Sequence, residues 1–128
     1  MSYHFSKILD LPFEAAVGKT TEALKREGFG VLTDIDVQAT LKQKIGADFR
    51  KYRILGACNP GLAHRALEAE DKIGAMLPCN VIVQEHADGK VEVSAIDPVA
   101  SMQAVVNPNL GAVANEVQGK LRKVIEEL

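Results

Sequence analysis

Three pairs of a capping residue and a proline divide this chain into short segments. The pairs are Asn59-Pro60, Asp97-Pro98 and Asn107-Pro108. An Asn or Asp side chain accepts hydrogen bonds from the free amides at the start of a helix, and proline is tolerated at the first helical position because an N–H there would have no partner. Each pair therefore predicts a junction where one segment ends and a helix or turn begins.

Between these junctions the chain alternates between helix and strand patterns. Apolar residues recur every three or four positions where one helix face is expected, and they alternate or run continuously where a strand is expected. The predicted helices cover residues 13–27, 37–45, 60–72 and 110–128. The predicted strands cover residues 3–9, 29–36, 52–58, 81–85 and 90–96, and the last two flank Asp88-Gly89, a pair that suits a hairpin turn. The order β-α-β-α-β-α-β-β-α predicts an α+β fold, a two-layer sandwich in which a roughly five-stranded mixed or antiparallel sheet carries its helices on one face.

Capping residues and glycines mark the ends of the first two helices. Asp10 and Asp36 are predicted N-caps, and Gly28 and Gly46 are predicted left-handed stops. The alternation within residues 29–36 predicts one strand face formed by Phe29, Val31, Thr33 and Ile35. The first β-α-β unit is compatible with a parallel crossover, and the order of the strands in the sheet is left open.

The composition is that of an ordinary soluble globular protein. The 128 residues fit one domain, 1–128, and are 47% hydrophobic and 25% charged with a net charge of -2. Trp is absent and aromatic residues make up 5%, so the basic, aromatic surface of a nucleic-acid binder is not expected. The first residues lack the apolar run of a signal peptide, and no window approaches the roughly 18 apolar residues of a membrane span. We therefore expect a cytoplasmic protein with reduced thiols and with neither nucleic acid nor membrane as a partner.

Several short motifs follow one another along almost the whole chain. They are Gly28-Phe29-Gly30-Val31-Leu32-Thr33-Asp34-Ile35-Asp36, Leu41-Lys42 with Ile45-Gly46, Tyr52-Arg53-Ile54-Leu55-Gly56-Ala57-Cys58-Asn59-Pro60, Gly74-Ala75-Met76-Leu77-Pro78-Cys79-Asn80-Val81, and Asp97-Pro98. In this combination they resemble the domain-of-unknown-function 302 family. The resemblance implies a small two-layer α/β fold, often found in dimers, with no established reaction.

Both cysteines of the chain lie where a predicted strand meets a turn or a helix. Cys58 ends one strand in front of Asn59-Pro60, and Cys79 begins another in front of Asn80. Backbone amides and a helix dipole at such a junction favour a thiolate, although free Cys is also commonly a small buried hydrophobe. The two thiols lie close together if their strands are antiparallel. In parallel strands they lie a strand length apart, roughly 15–20 Å, and cannot bond.

Acidic residues and histidines supply two further candidate sites. Asp36 and Asp97 precede helix starts, which capping explains, but two carboxylates at one end of the sheet would also hold a divalent ion or share a proton. Cys58 and Cys79 with any one histidine would form a soft ligand set for Zn or Cu(I), although their spacing is unlike a compact zinc motif. The sequence has no phosphate-binding loop, nucleophile elbow, HExxH or Rossmann motif.

These patterns lead to one main hypothesis and two alternatives. We expect a homodimeric ligand-binding or sensory module that takes a small molecule or a soft metal ion. Its candidate site residues are Cys58, Asn59, Cys79, Asn80, Asp36 and Asp97. The first alternative is a thiol-dependent redox or sulfur-transfer enzyme with Cys58 as the nucleophile. The second is an assembly module that docks through its C-terminal helix, residues 109–128; the ligand and any cofactor stay open.

Overall fold

A computed structural model describes residues 2–128 of the chain, which form five strands and five α-helices. The strands are β1 (His4–Leu9), β2 (Gly30–Asp36), β3 (Tyr52–Cys58), β4 (Cys79–Glu85) and β5 (Val91–Ile96). The helices are α1 (Phe13–Arg26), α2 (Val37–Ile45), α3 (Pro60–Ala69), α4 (Pro98–Ser101) and α5 (Gly111–Glu126). A 3₁₀ turn, Ile73–Met76, lies between α3 and β4. The predicted order is confirmed, with the short helix α4 inserted before the last helix.

All five strands form one antiparallel sheet in the order β1-β5-β4-β3-β2. Because four successive pairings are antiparallel, β1 and β2 run in the same direction but lie at opposite edges of the sheet. The first β-α-β unit is therefore a crossover between parallel strands that are not neighbours. Of the two predicted kinds of sheet, mixed and antiparallel, the structure has the antiparallel one.

The helices pack on one face of this sheet and enclose an apolar core. Val81, Val83, Val91 and Val93 alternate along β4 and β5 and are fully buried. Helices α1 and α5 lie over these strands. Burial of one such side chain contributes roughly 1.5–3 kcal/mol to folding. The two-layer α+β prediction is confirmed.

Helix α5 carries the clearest apolar stripe of the sequence, and that stripe is inside the molecule. Its buried residues Val117, Leu121 and Val124 belong to the core, and the helix packs on β1, β5 and α1. The ammonium group of Lys7 in β1 donates to the carbonyl oxygen of Glu126 at 3.2 Å, which satisfies part of the helix end. The apolar face of this helix is therefore not available for the docking that the assembly hypothesis requires.

Helix α2 has the predicted ends but no buried face. The carboxylate of Asp36 accepts the N–H of Ala39 at 2.9 Å, and Gly46 ends the helix with a φ of 68°. None of its side chains is buried, and Ile45 is 72% exposed. Correct local capping has therefore produced a helix that contributes little to the core.

Strand β2 departs from the predicted alternation. Its pairing with β3 shifts between Val31 and Thr33, which leaves Leu32 as an extra residue in a β-bulge. An extra residue changes the side of the sheet on which the following side chains lie. Phe29 is buried in the core, whereas Thr33 and Ile35 are exposed on the other side. The prediction that these residues share one face is wrong.

Three helix ends complete the comparison with the sequence. Gly28 has a φ of 85°, as predicted for a left-handed stop. Helix α1 follows Pro12 and has no side-chain cap, so the prediction of Asp10 as its N-cap is wrong. Helix α3 ends at Ala69 rather than near residue 72.

Among residues 2–128, no helix is both long enough and apolar enough to cross a membrane.

Candidate functional site

The antiparallel pairing of β3 and β4 brings the two cysteines to the same end of the sheet. Ala57, the residue before Cys58, lies opposite Cys79. Both thiols are free, Cys58 half-buried and Cys79 buried. Burial raises the pKa of the Cys79 thiol to about 11, and the electrostatic interaction with Cys58 adds to the effect. Of the two alternatives left open by the sequence, the structure has the antiparallel one, which places both cysteines at the same end of adjacent strands.

An apolar cleft of about 380 Å³ opens at this end of the sheet, and we name it the strand-end cleft. Its walls come from the ends of β3 and β4, from α3, from the 3₁₀ turn and from helices α4 and α5. The lining residues are Phe29, Leu32, Thr33, Ala57, Cys58, Asn59, Leu62, Ala63, Ala66, Leu67, Gly74, Leu77, Pro78, Cys79, Pro98, Met102, Leu110, Val113, Ala114 and Val117. Thr33, Asn59 and the two thiols are the polar side chains among them.

Asn59 fixes the α3 wall of the cleft through two hydrogen bonds. Its side-chain oxygen accepts the N–H of Leu62 at 3.3 Å, which caps α3, and its side-chain nitrogen donates to the carbonyl of Glu27 at 3.4 Å. The second bond ties the start of α3 to the end of α1. A Cβ atom at Gly28 would lie 2.9 Å from the Asn59 amide nitrogen, so glycine permits this contact as well as the positive φ. The polar atoms of Asn59 are therefore engaged in structure.

Asp97 fixes the opposite wall of the cleft, formed by α4 and α5, through three hydrogen bonds. Its carboxylate accepts the N–H groups of Val99 and Ala100 at 3.0 and 3.4 Å, and it accepts the side-chain amide of Gln118 at 3.0 Å. These bonds cap α4 and hold it against α5. Asp97 is therefore a positioning residue for the wall of the cleft rather than a free carboxylate.

On the side of the sheet away from the helices, two side chains pack on the backbone of β3 near the same strand ends. Gly56 lies beneath Thr33 and Pro78, and a Cβ atom at this position would overlap the Thr33 hydroxyl and lie 2.8 Å from Cγ of Pro78. Glycine is thus required here because two side chains from neighbouring segments pack directly on its backbone.

The structure separates the other two candidate residues from the cleft. Asn80 follows Cys79 in β4 and is exposed on the opposite face of the sheet. Asp36 ends β2, and because β2 and β5 run in opposite directions, Asp36 and Asp97 lie at opposite ends of the sheet. The two carboxylates therefore cannot bind one ion or share one proton, and that prediction is wrong.

The expected soft-metal ligand set is also not formed. Within residues 2–128, no three His, Cys, Asp or Glu side chains come together as a group able to hold a metal ion. The histidines have other partners: His4 bonds Ser6 at 2.7 Å, His64 lies 3.2 Å from Glu68 and His86 bonds Glu92 at 3.0 Å. A site built from Cys58, Cys79 and one histidine is therefore wrong for this fold.

An ion-pair cluster around Arg53 lies at the other end of the sheet. Arg53 donates from Nε to Asp34 Oδ1 at 2.7 Å and also bonds Glu14 at 3.3 Å. The hydrogen bond from Arg53 lowers the pKa of Asp34 below its usual range. These charged groups neutralise one another, and none of the three residues lines the strand-end cleft. We therefore assign them a structural role.

Sequence reasoning missed the helical half of the site. Leu62 and Ala66 of α3 are buried, and they line the cleft together with Val113 and Val117 of α5. The signal that could have indicated a cavity is the run of small side chains on the facing helices, which includes Ala63, Ala66 and Ala114. Small residues at facing positions leave space that larger ones would fill.

A five-stranded antiparallel sheet with helices on one face and a cleft at its strand ends defines a two-layer α+β domain. The chain belongs to the family described as "Domain of unknown function DUF302", whose model matches residues 5–128. It is similar to the crystal structure of an uncharacterized conserved DUF302 protein from Bacillus stearothermophilus, with 28% identity, 98% of each chain covered and a TM-score of 0.91. A comparison with curated proteins found no match.

Proposed function

We propose that this protein is a ligand-binding module that takes a small, uncharged, apolar molecule in the strand-end cleft. The observation that carries the proposal is the cleft itself. Its volume of about 380 Å³ falls within the range of roughly 300–1,000 Å³ that is usual for small-molecule sites. Its walls are apolar side chains on three helices, the 3₁₀ turn and the sheet, with few polar groups.

The charge of the lining determines the class of ligand. None of the described residues that line the cleft is Asp, Glu, Lys, Arg or His. A charged ligand would lose its hydration there without gaining an opposite charge, which costs several kcal/mol. Asn59 is engaged by the backbone of α3 and α1, and the Thr33 hydroxyl packs over Gly56 on the outer side of the sheet, so the Cys58 thiol is the group that would orient a ligand.

We extend the proposal to a homodimer of one-domain chains, 1–128, in the cytoplasm. The two free thiols are typical of a reducing compartment. The exposed isoleucines Ile8 and Ile35, on the side of the sheet away from the helices, favour a second copy as partner.

A thiol-dependent reaction at Cys58 is the second candidate function. Cys58 and Cys79 both line the cleft at the ends of adjacent strands. Redox chemistry would use Cys79 as the second thiol. The buried Cys79, with its pKa raised to about 11, is protonated at neutral pH and is not a nucleophile there. The apolar lining therefore favours binding over catalysis.

The test is a fluorescence titration with N-phenyl-1-naphthylamine, an uncharged apolar probe. Ala63 of α3 lines the cleft and is partly exposed, so Ala63→Phe places a ring in the cleft without replacing a buried residue. Ala112→Phe on the exposed surface of α5 is the matched control. We expect one probe bound per chain in the wild type and in Ala112→Phe. We expect at least about tenfold weaker binding in Ala63→Phe, the loss of roughly 1.4 kcal/mol.

Either of two results would overturn the proposal. The first is a wild-type protein that does not bind the probe. The second is an Ala63→Phe variant that binds it as tightly as the wild type does. Circular dichroism of each variant checks that the fold is retained.

A further inference from the structure

The two thiols are the polar groups of the strand-end cleft that the fold itself does not use. The Asn59 side chain bonds the backbone of α3 and α1, and the Thr33 hydroxyl packs over Gly56 on the outer side of the sheet. Cys58 and Cys79 line the same cleft as free thiols, and within residues 2–128 no hydrogen bond engages either sulfur. Any polar interaction that the cleft offers to a ligand therefore comes from sulfur.

A thiol is a poor hydrogen-bonding group but a good nucleophile. Its S–H is a weak donor and its sulfur is a weak acceptor, so it orients a ligand weakly. Its thiolate attacks carbon readily, which sets it apart from the other uncharged side chains. A cleft whose unused polar groups are thiols is therefore better suited to forming a bond with a ligand than to holding it by hydrogen bonds.

The two thiols differ in their access to a ligand. Cys58 is half-buried, whereas Cys79 is 8% exposed. Burial raises the pKa of the Cys79 thiol to about 11, so this thiol stays protonated at neutral pH. Cys58 also directly precedes Asn59, the N-cap of the ten-residue helix α3, and the positive end of a helix dipole favours negative charge nearby. We therefore take Cys58 as the reacting group and Cys79 as part of the wall.

The apolar lining restricts the kind of reaction that Cys58 can perform. None of the described residues that line the cleft is Asp, Glu, Lys, Arg or His. The cleft thus has no general acid or base to protonate a leaving group or to activate water. Addition to an activated carbon–carbon double bond releases no leaving group, and the proton that it moves is the proton of the thiol itself. This addition is the reaction that fits the lining.

We propose that Cys58 captures an apolar α,β-unsaturated carbonyl compound, with the hydrocarbon tail of that compound in the strand-end cleft. A bond forms between Sγ of Cys58 and the β-carbon of the ligand. The electron pair of the C=C π bond moves into the enolate, and the thiol proton ends on the α-carbon. Neither an oxidant nor a reductant takes part. This inference names the ligand class of the proposed function and rests on that proposal.

The shape of the cleft suits a ligand with a hydrocarbon tail. Leu32 of β2 and Leu67 of α3 line the cleft and are 69% and 44% exposed, so the apolar surface continues from the cleft to the solvent. The small side chains of Ala63 and Ala66 leave space between α3 and the strand ends. A tail bound there buries apolar area and holds the reactive carbon near Cys58, which raises the rate of addition through proximity.

The test compares two enones that share one reactive group and differ in their tails. The ligand 3-nonen-2-one carries a pentyl group on its β-carbon, whereas 3-penten-2-one carries a methyl group there. Adduct formation is followed by intact mass, and each rate is divided by the rate of the same enone with glutathione. We expect one adduct per chain, mapped to Cys58. We also expect a normalised rate at least about tenfold higher for the longer enone, because only its tail fills the cleft.

Three variants identify the group and the cleft. Cys58→Ser should form no adduct and should still bind N-phenyl-1-naphthylamine as the wild type does. Ala63→Phe should abolish the preference for the longer enone, because the ring occupies the space of the tail. Ala112→Phe, on the exposed surface of α5, is the matched control and should keep that preference. Circular dichroism of each variant checks that the fold is retained.

The possible results separate this inference from the proposed function. Binding of N-phenyl-1-naphthylamine without a Cys58 adduct, or with equal normalised rates for the two enones, would overturn the capture and keep the cleft as a binding site. An adduct formed first at Cys79 or at another side chain would overturn the capture as well. A wild type that neither binds the naphthylamine nor prefers the longer enone would overturn both proposals.

Discussion

Raising the pH should destabilise this protein through the buried thiol of Cys79. Burial raises the pKa of that thiol from 9.0 to about 11 in the folded protein. Below pH ~9 the thiol is protonated in both the folded and the unfolded state and contributes no pH dependence. Above that pH the unfolded chain releases the proton while the folded chain keeps it, so the free energy of unfolding falls until the folded pKa is passed.

The magnitude follows from the pKa difference. One pKa unit corresponds to about 1.36 kcal/mol, so the full loss between pH ~9 and ~11 is about 2.7 kcal/mol. By pH ~10 the loss is about 1.4 kcal/mol. Tyrosine and lysine side chains also titrate in this range, so the contribution of Cys79 has to be isolated by comparison with a variant.

The assay is urea denaturation of the wild type and of Cys79→Ala at a series of pH values between about 8 and 10. The variant should be less stable than the wild type at pH ~8, because a buried side chain is truncated. That difference should shrink by about 1.4 kcal/mol by pH ~10, since only the wild type loses the thiol contribution. A difference that stays constant across this range would refute the inference that Cys79 is desolvated.

Three further changes test the structure around the cleft. Gly56→Ala should lower the free energy of unfolding by about 1–3 kcal/mol, because its Cβ would meet Thr33 and Pro78, and a variant as stable as the wild type in urea would contradict that packing. Asn59→Ala should cost about 1 kcal/mol in thermal or urea unfolding through loss of the α3 cap, whereas an unchanged midpoint would argue against the cap. Iodoacetamide at neutral pH should alkylate the half-buried Cys58 faster than the buried Cys79. N-phenyl-1-naphthylamine bound in the cleft should slow the alkylation of Cys58. Equal alkylation rates with and without the probe would show that the probe binds elsewhere.

Local features of the sequence predicted local features of the structure. The Asn59-Pro60 pair begins α3, Asp36 caps α2, and Gly46 ends it, because each of these depends on one side chain or one φ angle. The Asp88-Gly89 pair likewise predicted the hairpin between β4 and β5, where Gly89 has a φ of 85°. These signals lie within a few residues of the structure that they determine.

Features that depend on contacts between distant segments were not predicted. The bulge at Leu32 arises from pairing with β3, and one extra residue changed the faces of Thr33 and Ile35. The sheet order placed Asp36 and Asp97 at opposite ends, although both follow strands in the same way along the sequence.

The candidate site was predicted only in part, because it also depends on contacts between distant segments. Cys58, Asn59 and Cys79 lie together at the cleft, as expected for antiparallel strands. The cleft itself depends on how α3 and α5 pack across the strand ends, and neither helix indicates that alone. In a sequence, a residue that lines an apolar cavity looks the same as one that fills it, so the apolar lining does not indicate a cleft.

The most direct test of the account is a methyl and amide NMR titration of the wild type with N-phenyl-1-naphthylamine. We expect saturation at one probe per chain, with the largest shifts at residues of the strand-end cleft such as Leu62, Ala66 and Val117. Ile82 and Ile96, which line a separate depression on the other face of the sheet, should remain unperturbed. Shifts at Ile82 and Ile96 with the cleft residues unchanged, or no saturable binding, would contradict the claim that the cleft is the ligand site.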